Sequence, residues 1–329
     1  MKTAVVILNW NTEELLAQFL PGLIASTEGL DAEVIVADNA STDGSLALLQ
    51  ARFPEVKRIP LDRNYGFTGG YNRALAQVEA EYYVLINSDV EVSPGWLPPL
   101  VEWMDSHPDC GACGPKLLSW HQRDSFEYAG AAGGLIDRYG YPFCRGRIMQ
   151  KVEKDHGQYD SPQDVLWVSG ACLMVRSSVW KALGGLDQRF FAHMEEIDLC
   201  WRMQLRGWKV TVVPASAVWH IGGGTLRNES PFKLFLNYRN NLLLLENNLP
   251  STLHSRWKAR LRIGARMCLD GLSALVYLCK GQGAFFMAVV RAHRDYRKLR
   301  RPGDLLPDAP KPDGLYPGWI VPVGLFGKK

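Results

Sequence analysis

The feature that most constrains the fold of this chain is a set of short apolar segments that end in polar residues. The segments AVVIL, EVIVADN and YYVLI are rich in β-branched and aromatic residues, as expected of strands covered on both faces. Helical patterns separate them, so strands and helices alternate and predict a mainly parallel α/β sheet. The polar residues at the strand ends are Asn9, Asn11, Asp38, Asn64, Asn87 and Asp89. Because the carboxyl ends of parallel strands share one edge of a sheet, these side chains predict one crevice for a polar ligand.

The sequence also predicts where the main helices begin. One helix is predicted over Thr12–Ile24, with Thr12 as its N-cap, and a second from Ser41 or Thr42. Residues 193–207 have apolar side chains at helical spacing, so they predict an amphipathic helix. The segment WKVTVVPASAVWH predicts a last pair of strands that ends at His220.

The chain divides by composition into three regions. Residues 1–230 carry the α/β pattern, residues 231–301 have a helical and basic pattern, and residues 302–329 form a proline-rich tail. Between Ser255 and Arg301 there are 12 Lys or Arg residues against two acids, although the net charge of the whole chain is only +3. A basic block on an otherwise acidic chain indicates a surface that meets an anionic partner.

The basic region contains an apolar helical stripe. Its members are Trp257, Leu261, Cys268, Leu269, Leu272, Leu275, Val276 and Cys279. The cations that occupy much of the remaining helix surface are Arg256, Lys258, Arg260, Arg262 and Arg266. This pattern is typical of a helix that lies among lipid headgroups without spanning the bilayer. The alternative is a pair of helices that covers the α/β region and leaves a basic face in water.

Motifs that would identify several other classes of protein are missing from the sequence. After the first strand the chain reads LNWNTEE, so it lacks the dinucleotide motif G-x-G-x-x-G, and it has no P-loop motif. The seven cysteines lack a disulfide-framework spacing, which favours reduced thiols in a cytoplasmic protein. Cys110 and Cys113 form a C-x-x-C pair that we interpret as strand packing, with a redox or zinc pair as the alternative. The N-terminus, MKTAVVILNWN, becomes polar too soon for a signal peptide.

Four segments of the chain carry a likeness to a known protein family. They are VVILNWN, VIVADNASTDGS, NYGFTGGYNRAL with LINSDVEV, and GGLDQRFFAHMEEIDLCWRMQLRGWKV followed by VWHIGGG. In this order they resemble family two glycosyltransferases of the GT-A fold, close to the rhamnosyltransferase-like branch. The resemblance implies a nucleotide-diphospho-sugar transferase fold, in which helices flank a mainly parallel central sheet and a helical extension follows.

The resemblance also implies roles for the residues at the strand ends. The donor-binding residues would be Asn9, Trp10, Asn11, Asp38, Asn64, Gly66, Asn72 and Asn87. Asp38 would accept a hydrogen bond from the nucleotide base, and Asn87 would contact the ribose or a metal-bound water. Asp89 and His220 would bind a divalent cation, Mg²⁺ or Mn²⁺. Asn87 and Asp89 stand where the family has D-x-D, so this site carries one negative charge fewer.

Three acids crowd the start of the predicted helix over residues 193–207. The resemblance favours Glu196 as the general base, with Glu195 as the second candidate, and adjacent carboxylates raise each other's pKa towards neutrality. The alternative is that these acids merely complement the helix dipole. Asp198 and Arg202 are four residues apart and predict an orienting ion pair. The residues expected on the acceptor side are Trp167, Gly170 and Ala171.

Together these roles imply an inverting, metal-dependent glycosyltransferase of the hexosyltransferase type. It would move a sugar, with rhamnose as the first candidate, from a nucleotide-diphosphate donor to a saccharide or lipid-linked saccharide in cell-surface polysaccharide synthesis. The alternatives are a sugar-nucleotide pyrophosphorylase and a catalytically inactive binding module at a membrane surface. The expected partners are the nucleotide sugar, the acceptor and an anionic membrane surface, but not nucleic acid. The expected location is the cytoplasm, including a peripheral position on the inner face of the cell membrane.

Overall fold

A nine-stranded sheet forms the centre of the protein, in a computed structural model that describes residues 1–222 and 230–326. The strands of this sheet and of a smaller second sheet are β1 (Thr3–Asn9), β2 (Ala32–Asp38), β3 (Lys57–Pro60), β4 (Tyr82–Ile86), β5 (Val90–Val92), β6 (Cys110–Ser119), β7 (Gly134–Asp137), β8 (Pro142–Cys144), β9 (Arg147–Ile148), β10 (Lys151–Val152), β11 (Gln163–Asp164), β12 (Cys172–Arg176), β13 (Lys209–His220) and β14 (Leu315–Tyr316). The helices are α1 (Glu13–Ala25), α2 (Ser45–Arg52), α3 (Gly66–Leu75), α4 (Leu97–Ser106), α5 (Ser177–Leu183), α6 (Glu195–Gln204), α7 (Pro231–Thr252), α8 (Arg256–Cys279), α9 (Gly283–Leu299) and α10 (Ile320–Phe326).

Most strands of the central sheet run in one direction, as the sequence predicts. The strand order is β11-β13-β6-β12-β4-β1-β2-β3, and β5 pairs with β13. β1 is parallel to β2 and β4, and β2 is parallel to β3. β12 is antiparallel to β4 and β6, whereas β6 and β13 are parallel to each other. In this register Asn9 lies beside Asp38, so two of the polar strand ends meet at one edge of the sheet.

The side chains of β1 alternate between two apolar layers, because successive residues of a strand point to opposite faces. Val5 and Ile7 pack in the layer that contains side chains of α1, α2 and α4. Ala4 and Val6 pack in the layer that contains side chains of α3, α5, α6 and α7. Both faces of this strand are therefore covered, and polar groups of β1 can reach a ligand only from the strand end.

The predicted start of the second helix is wrong. α2 begins at Ser45, not at Ser41 or Thr42. The Ser41 hydroxyl accepts hydrogen bonds from the side-chain amide of Asn9 and from the backbone N–H of Asn11, at 3.0 Å each. The Ser41 side chain therefore stabilises the end of β1 instead of capping a helix.

The predicted boundaries of two later elements also change. α6 begins at Glu195 and not at His193, because His193 and Met194 have φ angles of 71° and 70°, outside the helical region. The predicted strand pair before His220 is one strand, β13, whose pairing with β6 shifts register between Val212 and Ala217. The first helix matches its prediction to within one residue at each end.

The proline-rich tail takes part in the second sheet, whose strand order is β10-β9-β8-β7-β14. Leu315 of the tail pairs in parallel with Ile136 of β7. The backbone N–H of Ile320 donates a hydrogen bond to the Asp137 carboxylate at 2.9 Å. Much of the tail is therefore folded against the α/β part of the chain.

The three long C-terminal helices pack on one another, and α7 also packs on α6. The side-chain amides of Asn247 and Asn248 in α7 each donate to Asp198 of α6 at 2.9 Å. Because Asp198 is fully buried, these bonds join the helical region to the α/β part inside the structure and not merely at its surface.

The apolar stripe of α8 faces outward. Trp257 is 68% exposed and Leu272 is 61% exposed, whereas the buried face includes Ile263 and Ala274. The prediction that Arg266 lies among the surface cations is wrong, because Arg266 is 5% exposed and its Nε donates to Asp270 at 2.7 Å. Across residues 1–222 and 230–326, every helix is too short or too polar to cross a bilayer.

Candidate active site

Asn9 and Asp38 contact each other at the ends of β1 and β2. The Asn9 amide donates to Asp38 Oδ1 at 2.9 Å, and the Ser41 backbone N–H donates to Asp38 Oδ2 at 3.0 Å. Asn9 is 0% exposed and Asp38 is 1% exposed. The structure therefore places Asn9 beneath the predicted base pocket, where it orients the Asp38 carboxylate.

The two residues that follow β1 lie at the surface. Trp10 is among the exposed large apolar side chains, so its indole face is accessible to a flat ring. Asn11 has a φ of 54°, and its side-chain oxygen accepts a hydrogen bond from the Thr42 N–H at 2.7 Å. Asn11 thus holds the loop before α2, while a contact of Trp10 with a base stays a prediction.

Gly66 forms the turn that was predicted to border the nucleotide. Its φ is +69°, and a Cβ on this residue would lie 2.4 Å from the Phe191 ring, so the position requires glycine. The Asn64 side-chain oxygen accepts from the Gly66 N–H at 2.8 Å. The N–H groups of Phe67 and Thr68 both donate to the Phe191 carbonyl, at 2.8 Å and 3.2 Å. This turn is therefore fixed to the loop that precedes α6.

Asp89, His220 and Glu127 form a buried row of charged side chains. Asp89 Oδ1 lies 3.2 Å from His220 Nε2. Glu127 Oε1 lies 3.4 Å from His220 Nδ1, an ion-pair distance without hydrogen-bond geometry. Burial disfavours the imidazolium, but the two carboxylates outweigh it and raise the pKa of His220 to about 10. The two predicted metal ligands, Asp89 and His220, therefore contact each other, and the Glu127 carboxylate lies on the other side of the imidazole ring.

The donor atoms at this place fit a divalent cation. The Asp89 carboxylate suits Mg²⁺ and Mn²⁺. A His220 nitrogen suits transition-metal ions once the cation displaces its proton, so the pair favours Mn²⁺ over Mg²⁺. Glu91 is not available, because Arg123 and Trp120 donate to its carboxylate at 2.6 Å and 2.8 Å. In the described part of the chain, no three His, Cys, Asp or Glu side chains are arranged to hold a metal by themselves. A cation bound here would need further ligands from the substrate or from water.

Two adjacent carboxylates begin α6. Glu195 is buried and Glu196 is partly buried. Within the described residues, one oxygen of each carboxylate has no hydrogen-bond partner. Burial and then the Glu196 charge raise the pKa of Glu195 well above its usual range. Burial also raises the pKa of Glu196 to about 7, although backbone N–H groups at the helix start oppose this. A carboxylate of this kind is suited to accept a proton from a hydroxyl group.

The backbone that leads into these carboxylates is strained. Phe191, His193 and Met194 have φ angles of 65°, 71° and 70°, in the left-handed region that disfavours side chains with a Cβ. Each such residue costs of order 1–3 kcal/mol and persists only where surrounding contacts hold it.

Asn240 of α7 supplies those contacts. Its side-chain amide donates to the carbonyls of Phe190, Ala192 and His193 at 2.9 Å, 2.7 Å and 2.8 Å. The neighbouring Arg239 donates to the Phe190 carbonyl at 2.8 Å. Since Asn240 is fully buried, α7 fixes the position from which the two glutamates extend.

The predicted ion pair in α6 is confirmed. Arg202 Nε donates to Asp198 Oδ2 at 2.7 Å. The Arg202 guanidinium also donates to the carbonyls of Leu183 and Gly185, at 3.1 Å and 2.9 Å. The pair therefore links α6 to the end of α5.

Gly170 and Ala171 connect Glu196 with the turn that carries Asp89. A Cβ on Gly170 would lie 3.6 Å from the Glu196 Cβ, so the backbone and the side chain are close neighbours. The Ala171 carbonyl accepts from the Asn87 N–H at 3.0 Å. The candidate base, two predicted acceptor-side residues and the Asn87–Asp89 turn are therefore contiguous.

Asn72 and Trp167 were predicted in the site, but the structure directs their polar groups elsewhere. Both ends of the Asn72 amide bond the backbone of Leu186, at 2.7 Å and 2.9 Å. Trp167 is buried, and its Nε1 donates to the Leu135 carbonyl at 3.1 Å. These contacts give both residues a supporting position behind the crevice.

Sequence reasoning missed Glu127, Asn240 and His193. Burial above all lowers the pKa of His193 to about 4, and its Nε2 has no hydrogen-bond partner among the described residues. Glu127 belongs to none of the four family-like segments, so no sequence signal pointed to it. Asn240 begins the pair of asparagines in RNNLLLL, and amides next to an apolar run signal buried hydrogen bonds. The last glycines of the segment VWHIGGG lie outside the described residues.

Sequence comparison identifies relatives of this chain. The family described as "Glycosyl transferase family 2" matches residues 4–163. An N-acetylglucosaminyl-diphospho-decaprenol L-rhamnosyltransferase of Mycobacterium tuberculosis is 28% identical over 271 residues, which cover 77% of this chain and 85% of that protein.

Two solved structures are similar in fold. GalNAc-T7 with UDP, GalNAc and Mn²⁺ has a TM-score of 0.59 at 17% identity, over 75% of this chain and 48% of that chain. A mannosyltransferase of Pyrobaculum calidifontis with GDP-Man and Mn²⁺ has a TM-score of 0.52 at 14% identity, over 90% of this chain and 86% of that chain. These similarities confirm the predicted GT-A fold.

Proposed function

We propose that this chain, whose residues 4–163 match the family described as glycosyl transferase family 2, transfers a sugar to a hydroxyl of a lipid-linked saccharide. The observation that carries this proposal is the line of contacts from Glu196, along Gly170 and Ala171, to the Asn87–Asp89 turn. Transfer from a nucleotide sugar needs a base for the acceptor hydroxyl and positive charge for the departing diphosphate. This line of contacts brings residues suited to both tasks into one crevice.

In the proposed reaction, Glu196 accepts the proton of the acceptor hydroxyl while the hydroxyl oxygen attacks the anomeric carbon of the donor. The bond from that carbon to the diphosphate oxygen breaks on the opposite face, and its electron pair leaves with the diphosphate. A single displacement of this kind inverts the configuration of the sugar. The partly buried position of Glu196 keeps its pKa near neutrality, so it is a stronger base than an exposed glutamate.

Asp89 and His220 are the residues that would hold the divalent cation of this reaction, with Asn87 beside them. The cation, when bound, supplies the positive charge that stabilises the leaving diphosphate. Glu127 faces the other nitrogen of the imidazole and would fix the ring orientation, as carboxylates behind metal-binding histidines commonly do. Asp38, beneath the surface at the other end of the crevice, is proposed to accept a hydrogen bond from the base.

The relative from Mycobacterium tuberculosis indicates which substrates to test first, since its name describes an L-rhamnosyltransferase that acts on a polyprenyl-diphosphate-linked saccharide. We therefore propose an L-rhamnose donor and an acceptor of that chemical class. The test offers deoxythymidine-diphosphate-rhamnose, UDP sugars and GDP sugars with lipid-linked N-acetylglucosamine, and mass spectrometry follows the products. A lipid-linked product heavier by one deoxyhexose supports the proposal. Formation of a nucleoside triphosphate from donor and pyrophosphate would instead indicate a pyrophosphorylase, and no conversion of any donor would indicate a binding module.

The outward face of α8 and α9 supports a location at a membrane surface. In the described part of the chain, eight large apolar side chains are exposed on these helices: Trp257, Leu261, Leu272, Leu275, Val276, Leu278, Met287 and Val290. The buried face of α8 is opposite to this stripe, so packing within the chain does not account for it.

The charges around this apolar face also fit an anionic membrane. The region has two acids, and Asp270 is buried between Arg266 and His293. The second acid, Asp295, lies 3.4 Å from Arg239 of α7. Cations therefore dominate the outward surface, and a mixed apolar and cationic face is what anionic headgroups attract.

A further inference from the structure

A cavity of about 390 Å³ lies away from the candidate active site, between the ends of α6 and α7, the side of α8, β7 and the tail that carries β14. Three cations line it, namely Arg138, Arg262 and Lys311. Trp201 and Tyr316 add aromatic surface. The cavity therefore combines positive charge with apolar walls.

The three cations have no acidic partner in the parts of the chain that the structure describes. Asp137 also lines the cavity, but its carboxylate accepts hydrogen bonds from the N–H groups of Tyr139, Tyr141 and Ile320. Three cations against the single Asp137 carboxylate leave an excess of positive charge, and an anionic ligand would offset the repulsion among them.

The two arginines are close enough to affect each other. Burial and the Arg138 charge lower the pKa of Arg262. Guanidinium groups bind phosphate oxygens with paired, charge-assisted hydrogen bonds, which makes arginine pairs suited to phosphate. A cavity of this size also has room for more than one small ion.

We propose that this cavity binds a phosphate or diphosphate group through Arg138, Arg262 and Lys311. Arg262 follows Leu261, a residue of the exposed apolar stripe of α8. A phosphate carried on a lipid can therefore reach the cavity from the proposed membrane side, and a soluble phosphate can reach it from water. This cavity is separate from the residues proposed for sugar transfer, and its ligand does not depend on which sugar is moved.

The test is calorimetric titration of the full chain with inorganic pyrophosphate, in the presence of a chelator. The test variant is Arg138→Gln, Arg262→Gln and Lys311→Gln together. Its matched control is Arg52→Gln, Lys57→Gln and Arg58→Gln, which removes the same charge from exposed positions outside both the cavity and the proposed membrane surface. The test variant loses every charge-assisted hydrogen bond that these three side chains could donate to the anion, so we expect its affinity to fall at least about tenfold. The control should stay within about twofold of wild type, since none of its three residues lines the cavity and exposed charges are screened by salt.

Vesicle binding then identifies the source of the phosphate group. Neutral phosphatidylcholine vesicles are compared with vesicles that also contain phosphatidic acid, using the same three proteins. If the test variant loses both pyrophosphate binding and vesicle binding while the control keeps them, the phosphate is lipid-borne. If the test variant loses pyrophosphate binding but still binds vesicles, the phosphate is soluble. No binding of pyrophosphate to wild type, or equal losses in both variants, would overturn the proposal. If the triple variant folds poorly, the titration is repeated with the single variant Arg138→Gln. Arg138 is exposed, so its replacement should not disturb folding.

Discussion

The side-chain amide of Asn240 donates a hydrogen bond to the His193 carbonyl at 2.8 Å, two residues before the first glutamate of α6. We predict that Asn240→Asp lowers kcat by about tenfold or more, because a carboxylate facing three carbonyls would release the strained loop. The KM for the donor should also rise, since the Phe191 carbonyl of the same loop holds the Gly66 turn that is proposed to border the nucleotide. Steady-state kinetics of the purified variant measures both constants.

Asn241→Asp is the matched control for this variant. Asn241 is equally buried, but its amide donates to the Gly140 carbonyl and only weakly, at 3.8 Å, to the Met194 sulfur, and to none of the carbonyls that Asn240 holds. We expect Asn241→Asp to lower the melting temperature with little loss of kcat in the folded fraction. If both variants lose kcat equally, the loop contact of Asn240 has no specific role.

Glu196→Gln is predicted to bind the donor normally and to lose transfer. Loss of a positioned general base typically costs about 10²–10⁴ in rate. Donor titration and single-turnover assays separate the two effects. Glu195→Gln serves as the comparison, because both side chains begin the same helix. Should Glu195→Gln be the inactive variant and Glu196→Gln the active one, the base is Glu195.

The pH dependence of transfer should report the raised pKa of Glu196. The base acts in its deprotonated form, so kcat/KM should be highest above a pKa of about 7. Below that value the deprotonated fraction, and with it kcat/KM, should fall about tenfold per pH unit. A profile that stays level down to about pH 5, well below the Glu196 pKa of about 7, would contradict the assignment.

Asp89→Ala should reduce turnover by more than about tenfold, which corresponds to about 1.4 kcal/mol of barrier. Glu91→Ala is the control, because Glu91 lies two residues away and is held by Arg123 and Trp120. Chelator treatment should abolish wild-type activity, and added Mn²⁺ should restore it better than Mg²⁺. An Asp89→Ala enzyme with more than about a tenth of the wild-type rate would rule out the metal-anchoring role.

Wild-type protein is predicted to sediment with anionic vesicles at low salt and to dissociate at high salt. Each cation near an anionic surface contributes about 1 kcal/mol, and salt screens this attraction. Leu272→Glu with Leu275→Glu should abolish sedimentation, because it places charge in the apolar stripe of α8. Leu46→Glu, at an exposed position of α2, should have no effect. If the wild-type protein binds neither anionic nor neutral vesicles at low salt, the apolar stripe of α8 does not bind membranes.

The strands that carry the site could be predicted because their signal is local. β1, β2 and β4 are continuous apolar runs, and their polar ends follow directly in sequence. The family-like segments then implied roles for Asp89, His220 and Glu196, and the structure connects these residues through a line of contacts. No long-range information is needed for any of these steps.

The features that escaped prediction depend on residues far apart in the chain. The start of α2 depends on hydrogen bonds from Asn9 and Asn11 to Ser41. Glu127 becomes a neighbour of His220 only through the pairing of distant strands. Asn240 stabilises a loop almost fifty residues earlier in the chain. The asparagine pair in α7 signals a buried hydrogen bond, but the sequence does not identify its partner. Tertiary contacts of this kind leave no periodic pattern in the sequence.

The parallel pairing of Leu315 with Ile136 has a consequence for the order in which the protein is built. Synthesis proceeds from the N-terminus, so β7 emerges from the ribosome long before its partner strand exists. During that interval the edge of β7 presents unpaired backbone groups, which are a template for wrong pairing. The cavity that Leu315 and Tyr316 help to line can form only when this edge has closed. Any ligand of that cavity would therefore distinguish the completed protein from a nascent chain.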